Sequence, residues 1–378
     1  MKIVSTEARC YRVPLPAPWG SATHRITHHE LIITRVATDA KLGGVGWAYT
    51  IGTGGTAVAA LLSDYLLPMI DGRDPAPIGR IWHELWQGTH DAAGGIARLA
   101  LASLDIALWD LAARAAARPL AEVLGGRVQP VVAYGSGVNL HLPLPELRAQ
   151  VEGWQRRGYQ AFKMKVGSDD PDADVERVRA VREQVGPRAR LMVDANQKWT
   201  AAEAVRRVRM LEPFAPHWIE EPVLADDVPG NAWVKAHVPL PVALGENVHS
   251  TYQFAEYVRQ SAVDIVQPDV ARVGGITEWM KIAHLAESHN LLVSGHLMAE
   301  ISCHLHCAVS NATVLEDVDG GSLADLGVLR TPLRAERGCL TPPSVPGHGV
   351  EFDWDALRRY EVRPGAGAPA AASRPARA

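Results

Sequence analysis

Apolar and polar positions alternate along this chain with two periods. Near the amino terminus, MKIVSTEARCYRVPL and LIITRVATDAKLGGVGWAYT alternate residue by residue, the pattern of half-buried antiparallel strands, with Gly43 and Gly44 as a turn. The stretch IARLALASLDIALWDLAARAAARPLAEVLGG instead repeats its apolar residues at three and four, which predicts a helix stopped by Gly125 and Gly126. Beyond it come short strand-like runs at AYGSG, AFKMKVG, LMVDAN, WIEEP, VALGEN, DIVQPD, LLVSGH and TVLED, mostly separated by helical patterns. Eight strands alternating with helices predict an α/β fold of the TIM-barrel type. The expected organisation is an α+β domain over residues 1–126, a barrel over 127–320 and a segment over 321–363 that returns to the first domain. A disordered Pro/Ala/Gly tail is expected over 364–378.

Charged residues close these runs. Asp194, Glu220 and Glu246 recur every 26 residues. A strand, its crossover helix and the next strand take roughly 25 to 30 residues, so this period sets three carboxylates at equivalent ends of neighbouring strands. Such a cage suits a hard divalent cation, which prefers oxygen ligands. Lys163, Lys165, Asp269, His296 and Glu316 also fall at strand ends, and Ser136 closes the first. In this architecture chemistry sits at the carboxyl ends of the strands.

The composition narrows the function. At 378 residues the chain exceeds the roughly 250 of a bare barrel, leaving about a third for other structure. A net charge of −4 without a basic stripe argues against nucleic-acid binding. No apolar run has membrane-spanning length and no leader is evident, so a cytoplasmic location without membrane partners is expected; a homo-oligomer is a separate expectation. Four cysteines suggest no disulfide framework. The string SCHLHC places Cys303 and Cys307 on one helical face with His304 and His306 nearby. No matched ligand pair completes a zinc pattern, so this cluster reads as structural.

The ordered set KMK, VDAN, IEEP, GEN, PD, SGHLMAEIS and LED, preceded by the helix LDIALWD, resembles the mandelate racemase subgroup of the enolase superfamily over roughly residues 1–360. The resemblance implies a capping domain on a modified (β/α)7β barrel and one Mg²⁺ per subunit. It also implies a small carboxylate substrate and a reaction that begins by removing the proton α to that carboxylate. Such a proton is a very weak acid, and a divalent cation neutralises the enediolate that forms. Asp194, Glu220 and Glu246 are the expected metal ligands.

In KMK, side chains two apart share a face, so Lys163 and Lys165 both enter the barrel mouth. The adjacent ammonium and the nearby metal each disfavour protonation, an arrangement expected to lower a lysine pKa toward that of a base. By resemblance Lys165 is one base and Lys163 holds the substrate carboxylate. His296 with Asp269 reads as a second base on the opposite face, the carboxylate fixing the imidazole tautomer. By resemblance Glu316 is expected to be protonated and to donate to the substrate carboxylate. Asn196 and Asn247 are candidates for a substrate hydroxyl, and Ser136 for the carboxylate. The loop PWGSATHRITHHE would read the distal end through His24, Arg25, His28 and His29. Mandelate racemase has apolar residues there, whereas these polar groups fit a hydroxylated or dicarboxylate acid. The leading expectation is a Mg²⁺-dependent dehydratase of an aldonate or aldarate. A racemase or epimerase of a 2-hydroxy acid and a cycloisomerase are the alternatives. A binding protein that has lost catalysis would have lost a base or ligand, and every expected position is present.

Overall fold

The computed structural model describes residues 1–92 and 94–362; the tail expected over 364–378 lies outside the described residues. Strands β1 (Ile3–Gly20), β2 (Arg25–Thr38) and β3 (Gly43–Thr50) form an antiparallel meander. The late strand Glu361–Val362 joins its edge through Cys10↔Val362 and Tyr11↔Glu361. The helix Gly95–Ala115 crosses this sheet so closely that a Cβ at Gly44 would lie 2.0 Å from the Ala107 carbonyl, and one at Gly46 2.2 Å from that of Ser103. Periodicity predicts one buried face for this helix, but most of its circumference is buried. Its far side faces the barrel, where Trp109 Nε1 donates to Thr277 Oγ1 at 2.9 Å. Asp105 caps the barrel helix Ile276–Ser288 by accepting from Thr277 N at 2.9 Å and Thr277 Oγ1 at 2.6 Å.

The barrel strands are β4 (Val131–Ser136), β5 (Ala161–Lys165), β6 (Arg190–Asp194), β7 (Ile219–Glu220), β8 (Val242–Leu244), β9 (Ile265–Val266), β10 (Leu292–Val293) and β11 (Leu315–Val318). They are parallel, in the order β10-β9-β8-β7-β6-β5-β4-β11. Val293 N to Asn311 O at 2.9 Å and Thr313 N to Val293 O at 2.8 Å tie β10 to the chain entering β11. The seven βα repeats and final strand of a modified barrel follow, with the antiparallel sheet and its helices as the capping domain. No helix among the described residues is long and apolar enough to cross a membrane.

Side-chain alternation stacks the barrel interior in layers. Tyr134, Ala161, Met192, Trp218, Ala243, Ile265 and Val314 make a buried apolar floor. Two residues further along the same segments come Ser136, Lys163, Asp194, Glu220, Gly245, Gln267 and Glu316. The next step of two gives Val138, Lys165, Asn196, Asn247, Asp269 and Val318, at the mouth. Gly245 is obligatory in the middle layer, because its φ is 145° and a Cβ would lie 2.8 Å from the Gln267 amide nitrogen.

Candidate active site

Asp194 and Glu220 of the middle layer meet Glu246, which follows Gly245, with one carboxylate oxygen from each within 4.8 Å of the others. All three are buried. Register explains the convergence, since Lys165 pairs with Asp194 and Asp194 with Glu220 on successive strands. Glu220 is oriented by Trp218 Nε1 at 3.1 Å and Gln267 Nε2 at 2.8 Å. Three hard anionic oxygen donors fixed on rigid strands fit a Mg²⁺ ion.

Both lysines reach into this cage. Lys163 Nζ lies 2.5 Å from Glu220 Oε1, 2.8 Å from Glu316 Oε1 and 3.8 Å from Asp194 Oδ2, while Lys165 Nζ donates to Asp194 Oδ2. Burial alone would strip their protons, but the carboxylates outweigh it, Glu220 and Glu316 on Lys163 and Asp194 on Lys165. Both ammonium groups are thereby held above the usual lysine range, largely by carboxylates that would themselves ligate the metal.

Across the mouth, His296 Nδ1 lies 2.7 Å from Asp269 Oδ2 and its Nε2 3.3 Å from Glu246 Oε2. Burial opposes charge on the ring, yet Glu246 and Asp269 raise its pKa above the ordinary histidine value. Asp269 also accepts from Ala271 N at 2.8 Å, Arg272 N at 3.1 Å and the hydroxyl of Tyr49.

Two expected roles change. Glu316 accepts from Ser136 Oγ at 2.7 Å and Leu297 N at 3.2 Å besides pairing with Lys163. Burial would protonate it, but Lys163 and His296 hold its carboxyl below the usual carboxylate range, whereas the expected role calls for a protonated donor. Ser136 is buried and spends its hydroxyl on Glu316, away from the cavity lining.

The main cavity has a volume of about 240 Å³ and is lined by Lys165, His296, Asn196, Asn247 and His24, among others. Asn196 Nδ2 reaches Asp194 Oδ2 at 3.3 Å, and Asn247 Nδ2 reaches Glu221 Oε1 at 2.8 Å. Arg25 is exposed and His28 half-buried, and neither lines the main cavity, where β2 contributes Ile26 instead. Arg272, Tyr49 and Glu221 escaped the sequence reading. Arg272 Nη1 binds Glu246 Oε1 at 3.2 Å and Asn247 Oδ1 at 3.0 Å. Glu221 accepts from Asn247 and from Gln197 Nε2 at 3.2 Å. Only the adjacency of Arg272 to the PD motif and of Glu221 to the ligand Glu220 could have flagged them.

The rim is strained. Asn196, Gln197, Glu221, Leu297 and Met298 all have positive φ, between 42° and 63°, just after Asp194, Glu220 and His296. Left-handed non-glycine residues cost of order 1–3 kcal/mol each and concentrate at functional sites. The cysteine cluster lies elsewhere and its groups diverge. Cys303 Sγ faces the Glu300 carbonyl at 3.6 Å and Cys307 Sγ the Gln129 carbonyl at 3.5 Å. His304 Nδ1 accepts from Ala121 N at 3.2 Å and His306 Nε2 from Gly295 N at 3.0 Å.

Residues 4–125 match the mandelate racemase/muconate lactonizing enzyme N-terminal domain, and residues 146–356 match the enolase C-terminal domain-like family. The chain is 39% identical over 354 residues to a 3,6-anhydro-alpha-L-galactonate cycloisomerase of Streptomyces coelicolor, covering 93% of this chain and 97% of that one. A racemase from Streptomyces coelicolor A3(2), solved with bound magnesium, superposes with a TM-score of 0.92 at 38% identity, over 95% of this chain and 100% of the other. L-Talarate dehydratase from Polaromonas sp. JS666, solved with Mg and L-glucarate, gives a TM-score of 0.89 at 31% identity, over 96% and 98%.

Proposed function

This chain belongs to the mandelate racemase/muconate lactonizing enzyme family of the enolase superfamily, and from that premise we propose that it is an acid-sugar dehydratase. The observation that carries the proposal is the placement of Lys165 and His296 on opposite walls of one cavity, above a cage of three carboxylates. Asp194, Glu220 and Glu246 would hold Mg²⁺, which when bound supplies the positive charge that stabilises an enediolate and offsets the carboxylates now holding the lysine protons. Lys163 binds and orients the substrate carboxylate, itself positioned by Glu316. Lys165 removes the α-proton from one face, and the electron pair enters the carboxylate to give the enediolate. The C–O bond at the β-carbon then breaks, and its oxygen takes the proton held at His296 Nε2. Asp269 and Tyr49 keep the other ring nitrogen engaged throughout. The enol that remains ketonises to a 2-keto-3-deoxy acid. For the opposite α-configuration the two bases exchange roles.

One specific observation favours a second reading, namely the 39% identity to a cycloisomerase of an anhydro acid. In a 3,6-anhydro acid the β-oxygen is the ring ether. The same elimination therefore opens the ring and loses no water, so both outcomes follow from one site. The enzyme is further proposed to be a cytoplasmic homo-oligomer, which light scattering and cell fractionation would read.

The test is proton NMR in D₂O with Mg²⁺ and a panel of aldonates, aldarates, a 3,6-anhydro-aldonate and both mandelate enantiomers. A keto-deoxy product from a sugar acid is expected, and product mass separates water loss from ring opening. Lys165→Ala and His296→Asn should each abolish α-exchange for one configuration. Turnover of mandelate with no keto-deoxy product from any sugar acid would replace this proposal with a racemase.

A further inference from the structure

Three cavities stand in series behind the catalytic layer, and a carboxyl group belongs to each shared wall. Glu316 lines both the main cavity and a small side chamber between the capping sheet and the loop after β10. Glu300, from the helix Ala299–His306, lines both that chamber and a third cavity of about 440 Å³, walled largely by the segment from Leu329 to Val350. Among the described residues the third cavity shares no lining with the main one. Thr331, Arg334 and Thr341 on its wall are exposed, so it meets solvent away from the substrate mouth.

The side chamber has the size and polarity of a water site. Its volume is about 30 Å³, where roughly 10–15 Å³ holds one molecule. His29 and Glu300 interrupt an otherwise mostly apolar wall; they are 2% and 3% exposed, and His29 Nε2 and Glu300 Oε1 are buried without a hydrogen-bond partner in the protein. With Glu316 they set three polar groups around one small volume, and a buried water makes about three hydrogen bonds. On the catalytic side, Glu316 Oε2 lies 3.9 Å from His296 Nε2, a separation that a water bridges.

Of these groups, Glu300 is the one suited to pass a proton on. Burial, with Asp317 and Asp325 adding negative charge, pushes its pKa up to about 7, so both of its protonation states are within reach at neutral pH. Burial pushes His29 down to about 4, which leaves a neutral ring that orients the water. The other ionisable neighbours have partners of their own. Asp317 accepts from the Tyr159 hydroxyl, and Asp325 pairs with Arg334 at 3.6 Å. Across the third cavity, His348 donates to the Val45 carbonyl at 2.7 Å and accepts from the Val350 amide at 3.0 Å.

We propose that His29, Glu300 and Glu316 hold a water in the side chamber and that Glu300 relays protons between His296 and solvent through the third cavity. This rear route stays open while substrate fills the mouth. A proton on His296 Nε2 passes to the chamber water, that water gives one of its own protons to the Glu300 carboxylate, and Glu300 releases it to water in the third cavity. The same steps in reverse reprotonate the ring, so no charge accumulates. The inference rests on the acid-sugar reading above, with His296 as a base, and adds the path by which that base exchanges its proton.

The experiment follows α-deuterium in H₂O with Mg²⁺ and both α-epimers of the 3-deoxy analogue of an active acid. That analogue has no β-oxygen to lose, so its enediolate is only reprotonated. A deuteron taken by His296 sits alone on Nε2 and must exchange before hydrogen returns to the same face, whereas the Lys165 ammonium carries two further hydrogens and scrambles without exchange. The reading is deuterium loss with retained configuration, divided by the amount of epimer formed. In Glu300→Gln this ratio should fall at least about fivefold for the epimer attacked by His296 and change less than about twofold for the other. An unchanged ratio for the His296 epimer, an equal fall for both, or a wild type that returns the deuterium wholly to carbon overturns the relay. Should Glu300→Gln fail to fold, Thr341→Trp, which narrows the third cavity at its exposed rim, is read in the same way. Absence of α-exchange with every sugar acid is a different result, which removes the acid-sugar reading itself.

Discussion

Tyr49→Phe isolates the contribution of the capping domain to proton transfer. The Tyr49 hydroxyl donates to Asp269 Oδ2, the oxygen that also faces His296 Nδ1. Phenylalanine keeps the ring, its packing at 6% exposure and the Arg272 guanidinium 5.9 Å from its centroid, and deletes only that donor. A hydrogen bond to a charged group contributes about 1.5–3 kcal/mol. Asp269 retains the Ala271 and Arg272 amides and His296, which argues for the lower end, or about tenfold in rate. A less stabilised Asp269 is the stronger acceptor and raises the His296 pKa further. The limb in which neutral His296 acts as base should therefore move to higher pH. The assay is α-deuterium exchange from pH 6 to 9 with both α-epimers of an active acid. Exchange through His296 should fall about tenfold with its limb displaced upward, while exchange through Lys165 changes less than twofold. Equal losses for both epimers, or an unmoved limb, would refute the positioning role and leave Tyr49 as packing.

Three further outcomes are expected. Glu220→Gln removes one charge from the cage while retaining the side chain's shape, so calorimetric Mg²⁺ affinity should drop at least about tenfold with the far-UV spectrum preserved; unchanged affinity would take Glu220 out of the ligand set. Cys303→Ser/Cys307→Ser should leave the metal content after dialysis unaltered, because the two thiols face different carbonyls; stoichiometric zinc lost in the double variant would show a second metal site. Burial pushes His306 down to about 4 from an unfolded value near 6.5, so its stabilising contribution is present above pH 6.5 and is lost as pH falls toward 4. In urea titrations the destabilisation by His306→Gln should accordingly shrink by up to about 3 kcal/mol between pH 7 and pH 4, and a pH-independent difference would refute burial as the cause.

Most of the barrel could be read from the sequence because one period governs both its packing and its chemistry. Stepping two residues from the apolar floor at Met192, Trp218 and Val314 lands on Asp194, Glu220 and Glu316, and the 26-residue recurrence needs no tertiary information. What the period could not supply was the identity of neighbours across the barrel. Lys163 reads as the like-charged neighbour of Lys165, yet in space it is dominated by Glu220 and Glu316. Glu316 reads as a protonated donor until Ser136, 180 residues earlier, is seen donating to it. Arg272 and Tyr49 lie off the alternation, one in a strand-to-helix turn and the other at the end of β3. Arg25 and His28 lie off the cavity lining for a local reason, since the expected loop ends where β2 begins at Arg25 and the strand sets Ile26 against the cavity.

The floor and lower rim are held by parallel backbone pairing, which fixes Lys165 against Asp194 and Asp194 against Glu220 whatever substrate is bound. The capping residues have no such constraint, because His29 and Tyr49 come from β2 and β3 of the capping sheet. Recognition and proton transfer nevertheless meet at Tyr49. One face of its environment is His29, at a ring separation of 5.8 Å, while its hydroxyl orients the Asp269–His296 pair. A group that displaces His29 thus presses on the residue that sets the tautomer of the base. Distal substitutions should consequently alter the His296 half-reaction more than the Lys165 half-reaction, an asymmetry that binding energy alone would not produce.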